Sequence, residues 1–340
     1  MLQAGCESCY SDRAVLKRFI FAREDQPGEP WLSRFIAGRQ EAERWYLGGN
    51  PENAPTAREC RDALNRHMPE LLPQYDRACS LVGDDELAHR ILSHYRPAPV
   101  SHGCSQAVWL GPGGPALIRN YDFPLDVVSD RFEATLWSGR EVIAKAQRPW
   151  GGCLDGMNEE GLVASLTAGG SPSRGRGFSI ILMVRYVLET CRRVDEAVAA
   201  LTRIPVALSQ NVTLLDRSGN HATVFLGPDR VPGVSLARVC TNHQELIPSS
   251  PSPAMARSIE RQDALLQALG DPTMSLSALV DRFLAAPLYS RHRGFTTVYT
   301  ALYRPAEGRV DYLWPGKCCR QRIGRFEAGE YAHDYGALVA

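Results

Sequence analysis

A cysteine becomes a nucleophile as its thiolate, which needs a cation to favour it and a base to take its proton. The surroundings of Cys104 offer both. His102-Gly103-Cys104-Ser105 is followed, fifteen residues after the cysteine, by Arg119-Asn120-Tyr121-Asp122. The Arg119 guanidinium supplies the cation if the fold brings it to the sulfur. Cutting the Gly103–Cys104 bond would give Cys104 a free α-amine, a base carried by the nucleophile itself. These are the parts of a self-processing nucleophile. An isolated Gly-Cys is usually a packing feature, since free cysteine behaves as a small buried hydrophobe. The Arg-Asn-Tyr-Asp quartet is what sets this one apart.

The elements around it have to bring these residues together. Ser105 to Leu110 reads as a strand, Gly111-Pro112-Gly113-Gly114 as a turn, and Pro115 to Tyr121 as the returning strand. Such a hairpin carries the end of its second strand back beside Cys104. Side chains alternate along a strand, so Arg119 and Asp122 fall on opposite faces unless a bulge or bend intervenes. Phe123-Pro124 offers such a bend.

Composition narrows the class. Among 340 residues, 44% are hydrophobic and 22% charged, the balance of a globular chain. Lys+Arg and Asp+Glu both number 38, so no electrostatic footprint points to nucleic acid or an anionic membrane. No apolar run approaches the roughly 20 residues that span a bilayer. The start, Met1 to Glu7, lacks the pattern of a signal peptide. The expectation is a cytoplasmic chain whose ten cysteines are reduced thiols. Cys6/Cys9 and Cys318/Cys319 make a poor pair of pairs for zinc, so no metal is expected. Neither a phosphate loop nor a G-x-S-x-G elbow is present.

Residues up to about Ala98 read as helical, without strand runs. Trp31 to Tyr46 has helical spacing, Thr56-Ala57-Arg58-Glu59 is a capping box, and Pro69 to Cys79 and Asp84 to Tyr95 continue the pattern, with Asp84 as N-cap. Residues 1–103 thus form a helical leader before a catalytic domain at 104–340. In that domain Gly151 to Asn158 reads as a turn-rich approach to a strand at Leu162 to Thr167. Helices follow at Phe178 to Cys191 and Val194 to Arg203, then a hairpin of Val212 to Asp216 with Ala222 to Leu226. Helices at Ala254 to Leu269 and Ser277 to Ala285 precede a last hairpin, Thr296 to Tyr303 with Arg309 to Trp314. Hairpins alternating with helix pairs describe two antiparallel sheets with helices outside, an α+β sandwich.

The chain resembles the self-processing acyltransferases related to acyl-CoA:6-aminopenicillanic acid acyltransferase, within the N-terminal nucleophile hydrolase superfamily. The resemblance rests on His102 to Ser105, Arg119 to Asp122, Asp155-Gly156-Met157-Asn158-Glu159-Glu160-Gly161-Leu162, Gln210-Asn211-Val212-Thr213, Thr241-Asn242-His243, and Thr297-Val298-Tyr299 through Trp314-Pro315-Gly316. It implies a four-layer αββα sandwich, autocleavage between Gly103 and Cys104, and α and β fragments that remain partners. It further implies Cys104 as nucleophile, its α-amine as base, Arg119 against the sulfur and Asp122 orienting the amine. Asn211 would donate to the oxyanion, and an arginine near Ser258, Arg261 ahead of Arg257, would complete the network. No cofactor is implied beyond coenzyme A thioester as a co-substrate, and the partner is a small acyl or amide substrate. Thr167 departs from the bile-salt enzymes, which carry asparagine there. Two other readings stay open: self-cleavage without turnover, and a binding protein with an inert Cys104.

Overall fold

The computed structural model describes residues 15–48, 54–98, 103–147, 151–244 and 253–339. His102, Cys6 and Cys9 lie outside them. The hairpin around the cysteine forms as β2 (Gly103–Trp109) and β3 (Ala116–Phe123). Gly113 and Gly114 take φ of +90° and +86° in the turn, a conformation open to glycine and costly for other residues. Both strands are buried along their whole length, so each is covered on two faces.

Two sheets provide one cover. β2 and β3 sit within a seven-stranded sheet with β11 (Val239–Cys240), β12 (Arg291–His292), β13 (Phe295–Arg304), β14 (Arg309–Trp314) and β15 (Lys317–Arg322). Facing it is a nine-stranded sheet. In chain order its strands are β1 (Leu16–Arg23), β4 (Arg131–Thr135), β5 (Val142–Gln147), β6 (Gly152–Asn158), β7 (Val163–Ala168), β8 (Gln210–Leu215), β9 (His221–Leu226), β10 (Gly233–Ser235) and β16 (Gly329–Asp334). Helices α6 (Ile180–Thr190) and α7 (Val194–Arg203) cover its outer face, packing on β6, β7 and β9. Helices α8 (Pro253–Gly270) and α9 (Leu276–Phe283) cover the seven-stranded sheet at β2 and β3. The order helix, sheet, sheet, helix is the αββα sandwich.

The leader differs from the expectation of helices alone. Helices α1 (Glu29–Ala37), α2 (Arg39–Leu47), α3 (Ala57–His67), α4 (Leu72–Val82) and α5 (Glu86–Leu92) are present, and the Thr56/Glu59 capping box closes α3 from both sides. The cap of α5 is Asp85, not Asp84. Before them lies β1, between β4 (parallel) and β16 (antiparallel). Its Phe21 stacks on Phe132 at 4.8 Å and its Phe19 meets Trp314 at 5.1 Å, deep between the sheets. Burial of each phenylalanine contributes roughly 2–3 kcal/mol. The segment before Gly103 therefore supplies an inner strand of the nine-stranded sheet as well as helices.

Gly151 to Asn158 also differs: it is mostly strand β6 rather than turn. A Cβ on Gly152 would lie 2.6 Å from Ile181, and one on Gly156 2.8 Å from Leu188. These glycines let α6 lie close on the strand. The last hairpin is likewise not last, since β15 and β16 follow it.

Candidate active site

Register places the key residues. In the β2–β3 ladder Cys104 pairs with Tyr121, Gln106 with Arg119, and Gly103 with Asp122. Cys104, Gln106, Arg119 and Tyr121 share the face toward the nine-stranded sheet. There Gln106 donates to Ser165 and Thr213, and Arg119 reaches β6. Ser105, Asn120 and Asp122 face the helices, where Asn120 donates to the carbonyls of Phe283 and Leu288. Arg119 and Asp122 are thus on opposite faces, as their spacing requires. The register shift lies instead in β13, between Thr297 and Tyr299.

On the inner face, Arg119 Nη2 donates to Cys104 Sγ at 3.0 Å. Its other nitrogen, Nη1, donates to the Leu154 carbonyl at 3.0 Å and pairs with Asp155 at 3.2 Å. Tyr299 donates its hydroxyl to both Asp155 oxygens, at 3.0 and 3.1 Å. All four side chains are fully buried. Burial alone would lower the Arg119 pKa, but Asp155 and its neighbours hold it above its ordinary value, so it is a fixed cation. Burial pushes the Cys104 thiol up to about 11 against the pull of Arg119. In the intact chain the sulfur therefore keeps its proton at neutral pH.

On the outer face, Arg261 of α8 grips the main chain of the same residue. Its Nη1 donates to the Cys104 carbonyl at 2.9 Å, to Ser105 Oγ at 2.8 Å and to Asp122 at 3.2 Å. Its Nη2 donates to Asn242 Oδ1 at 2.9 Å, and that oxygen also accepts the Cys104 amide N–H at 2.8 Å. Thr297 donates to the other Asp122 oxygen at 2.7 Å. Burial lifts the Asp122 carboxyl to about 6, with Arg261 and Thr297 opposing the rise. Arg257 lies instead over the Phe295 ring, 5.4 Å from its centre. That ring explains Gly103: a Cβ there would fall 1.7 Å from a Phe295 ring carbon.

Of the expected residues, the structure brings Gly103, Cys104, Arg119, Asp122 and Arg261 together. Asn211 stands apart from Cys104. Its amide donates to Thr167 Oγ1 and to the carbonyls of Ala168, Thr241 and His243, at 3.1 to 3.3 Å. With both hydrogens engaged, it ties β7 and β8 to the segment that follows β11. That segment carries Asn242, whose Nδ2 is buried with no partner among the described residues. Sequence reasoning gave Asn242 and Asp155 no role, although both lie in stretches that carried the resemblance. Thr297, in another of those stretches, was likewise given no role, because its place opposite Asp122 depends on the register of β13. Cys318 and Cys319 lie on β15, and no cluster among the described residues has the makings of a metal site.

A cysteine at the head of an inner strand, with its sulfur and its main chain held separately in an αββα sandwich, defines the class of N-terminal nucleophile acyltransferases and amidohydrolases. Within that class, the chain belongs to the acyl-coenzyme A:6-aminopenicillanic acid acyl-transferase family, whose sequence model matches residues 109–318. The match takes in Arg119, Asp122, Asn211, Asn242 and Arg261 and begins just after Cys104. No curated protein matches the chain. Among solved structures, a conjugated bile acid hydrolase from Clostridium perfringens is similar at 12% identity and TM-score 0.47, covering 70% of this chain and 99% of that one. A penicillin V acylase from Agrobacterium tumefaciens is similar at 15% identity and TM-score 0.44, with 69% and 92% covered. A Caenorhabditis elegans ortholog of N-acylethanolamine-hydrolyzing acid amidase is similar at 14% identity and TM-score 0.42, with 67% and 98% covered.

Proposed function

We propose that this chain cleaves its own Gly103–Cys104 bond and then transfers or hydrolyses acyl groups through a thioester on Cys104. One observation carries the reading: Arg119, Asn242 and Arg261 converge from different elements on the sulfur, the amide and the carbonyl of one cysteine. Packing alone does not require three polar groups on a residue with no exposed surface.

In self-cleavage, Sγ adds to the Gly103 carbonyl carbon, the C–N bond breaks, and the thiol proton passes to the departing nitrogen. The resulting thioester takes up water, releasing the Gly103 carboxylate and a free thiol. Cys104 then has an α-amine where its amide N–H now meets Asn242, with Asp122 opposite to hold its charge. In turnover that amine takes the thiol proton as sulfur attacks an amide or thioester carbonyl, and returns it to the leaving group. Water or an acceptor amine then removes the acyl group.

The unpartnered Asn242 Nδ2 is the donor best placed for the oxyanion. Asn211 holds the segment that positions it. Arg119 steadies the sulfur as negative charge gathers there.

Cys104→Ala tests the assignment. The variant is expected to stay uncleaved and to lose all amide and thioester turnover, whereas Cys104→Ser retains slow cleavage. Amidase activity that survives in the alanine variant would place the chemistry elsewhere.

A further inference from the structure

A cavity of about 550 Å³ lies between α2 and the ends of the catalytic strands. Its walls are apolar: Trp45 and Ala98 from the leader, and Phe123, Val127, Ile181 and Leu208 from the catalytic part. Two glutamines, Gln147 and Gln210, also line it. Among the described residues, the charged ones that line it are Glu41 and Arg44, both on α2, and Arg44 is exposed.

One wall of the cavity packs against the cross-strand partner of Cys104. Phe123 stacks on Tyr121 with ring centres 5.6 Å apart, and Tyr121 is the direct cross-strand partner of Cys104. Gln210 is the neighbour of Asn211. The size suits an acyl group rather than a whole macromolecule.

The glutamines are the unexplained feature. Gln210 is only 3% exposed, and its Oε1 finds no hydrogen-bond partner among the described residues. The Oε1 of Gln147 is likewise buried without one. A buried amide left without a partner is unfavourable, and an apolar side chain would serve packing better. Two such amide oxygens at one apolar cavity point to a ligand that supplies a donor to them.

We infer that this cavity receives the acyl part of the substrate, and that the acyl group is a largely apolar, uncharged chain bearing a neutral hydrogen-bonding group that Gln147 and Gln210 meet. A hydroxyl or an internal amide N–H fits, because both unpartnered atoms are amide oxygens and accept a donor. A second carboxylate does not, because no buried cation lines the cavity among the described residues. The inference rests on the reading of Cys104 as the acyl-carrying residue, but its test does not need turnover.

The test is calorimetric binding of free acids to the full chain. Decanoic acid, a hydroxydecanoic acid with its hydroxyl at mid-chain, and decanedioic acid are compared. The hydroxy acid is expected to bind about tenfold or more tightly than the plain acid, since a site built to pair a hydroxyl disfavours the analogue lacking it. The diacid is expected to bind most weakly. Gln210→Leu and Gln147→Leu should each bring the hydroxy-to-plain ratio toward one. Equal binding of the plain and hydroxy acids, tightest binding of the diacid, or no binding of any acid overturns the proposal. So does a ratio that survives both substitutions. If a variant fails to fold, the wild-type ratio still decides. Selective binding by a protein that never turns over an amide would uphold this inference while removing the one it rests on.

Discussion

The two faces of the β2–β3 hairpin treat the same cysteine differently. On the inner face a fully buried Arg119–Asp155–Tyr299 chain ends on the sulfur. On the outer face Arg261, Asn242, Asp122 and Thr297 hold the main chain before and after that sulfur. The inner network contains a fixed cation aimed at the sulfur, with the Nε of Arg119 buried and unpartnered, which suits the proposed task of steadying negative charge there. The outer network contains a carboxyl raised to about 6 and an unpartnered amide nitrogen, the groups that the proposed proton and oxyanion chemistry needs. A strand offers this division without cost, because neighbouring positions face opposite ways.

The comparison breaks most sharply at Arg119. Arg119→Met leaves the buried Asp155 without its ion-pair partner, with the hydroxyls of Tyr299 and Tyr303 still beside it, and should destabilise the fold by about 3–5 kcal/mol, read in urea unfolding. Self-cleavage should slow by about 10²–10³-fold. Adding Asp155→Asn should recover much of the stability and none of the cleavage rate. Recovery of both would make the inner network purely structural.

On the outer face Asn242→Ala should cost about 10²–10³ in kcat, the loss typical of one oxyanion donor. Asn211→Ala should act mainly on stability, since its amide ties strands to a loop. If Asn211→Ala shows the larger loss in kcat at unchanged melting temperature, the two asparagines exchange roles.

The smallest effect is in the pH profile. Ionised Asp122 is the form that pairs with an ammonium, so turnover should fall as pH drops through about 6. Stability runs the other way. The unfolded carboxyl releases its proton near 3.8 and the folded one near 6, so the Asp122 contribution is full below 3.8 and is lost as pH rises through 6. Thr297→Val removes a hydrogen bond that opposes this rise and should move the activity limb upward, a change of a few-fold near pH 6. An unmoved limb would assign it to another group.

Much of this site could be read from the chain, because it is local. The hairpin, its glycine turn and the alternation that separates Arg119 from Asp122 all follow from a short stretch of sequence. Arg261 followed from the family resemblance. What escaped depends on long-range pairing. Thr297 meets Asp122 only through the register of β13, and Asp155 meets Arg119 only through the approach of the two sheets. Leu16–Arg23 was missed because its alternation is brief: Phe19 and Phe21 are buried, but Ile20 between them is apolar too. The glycines of β6 read as turn residues, yet their use is to admit α6. Asn211 is the expected oxyanion donor, whereas the amide nitrogen left without a partner among the described residues is that of Asn242, which only the fold brings to Cys104.

The leader bears on the central claim as well. It gives β1 to the nine-stranded sheet, paired on both sides with β4 and β16, and α2 to a cavity wall, so cleavage after Gly103 should leave two fragments that stay together. The most direct measurement is mass spectrometry of the purified protein under native and denaturing conditions. The account predicts one particle under native conditions that separates, on denaturation, into a fragment ending at Gly103 and a fragment beginning at Cys104. A single uncut chain after prolonged incubation at neutral pH, or a cut at any other bond, would contradict it.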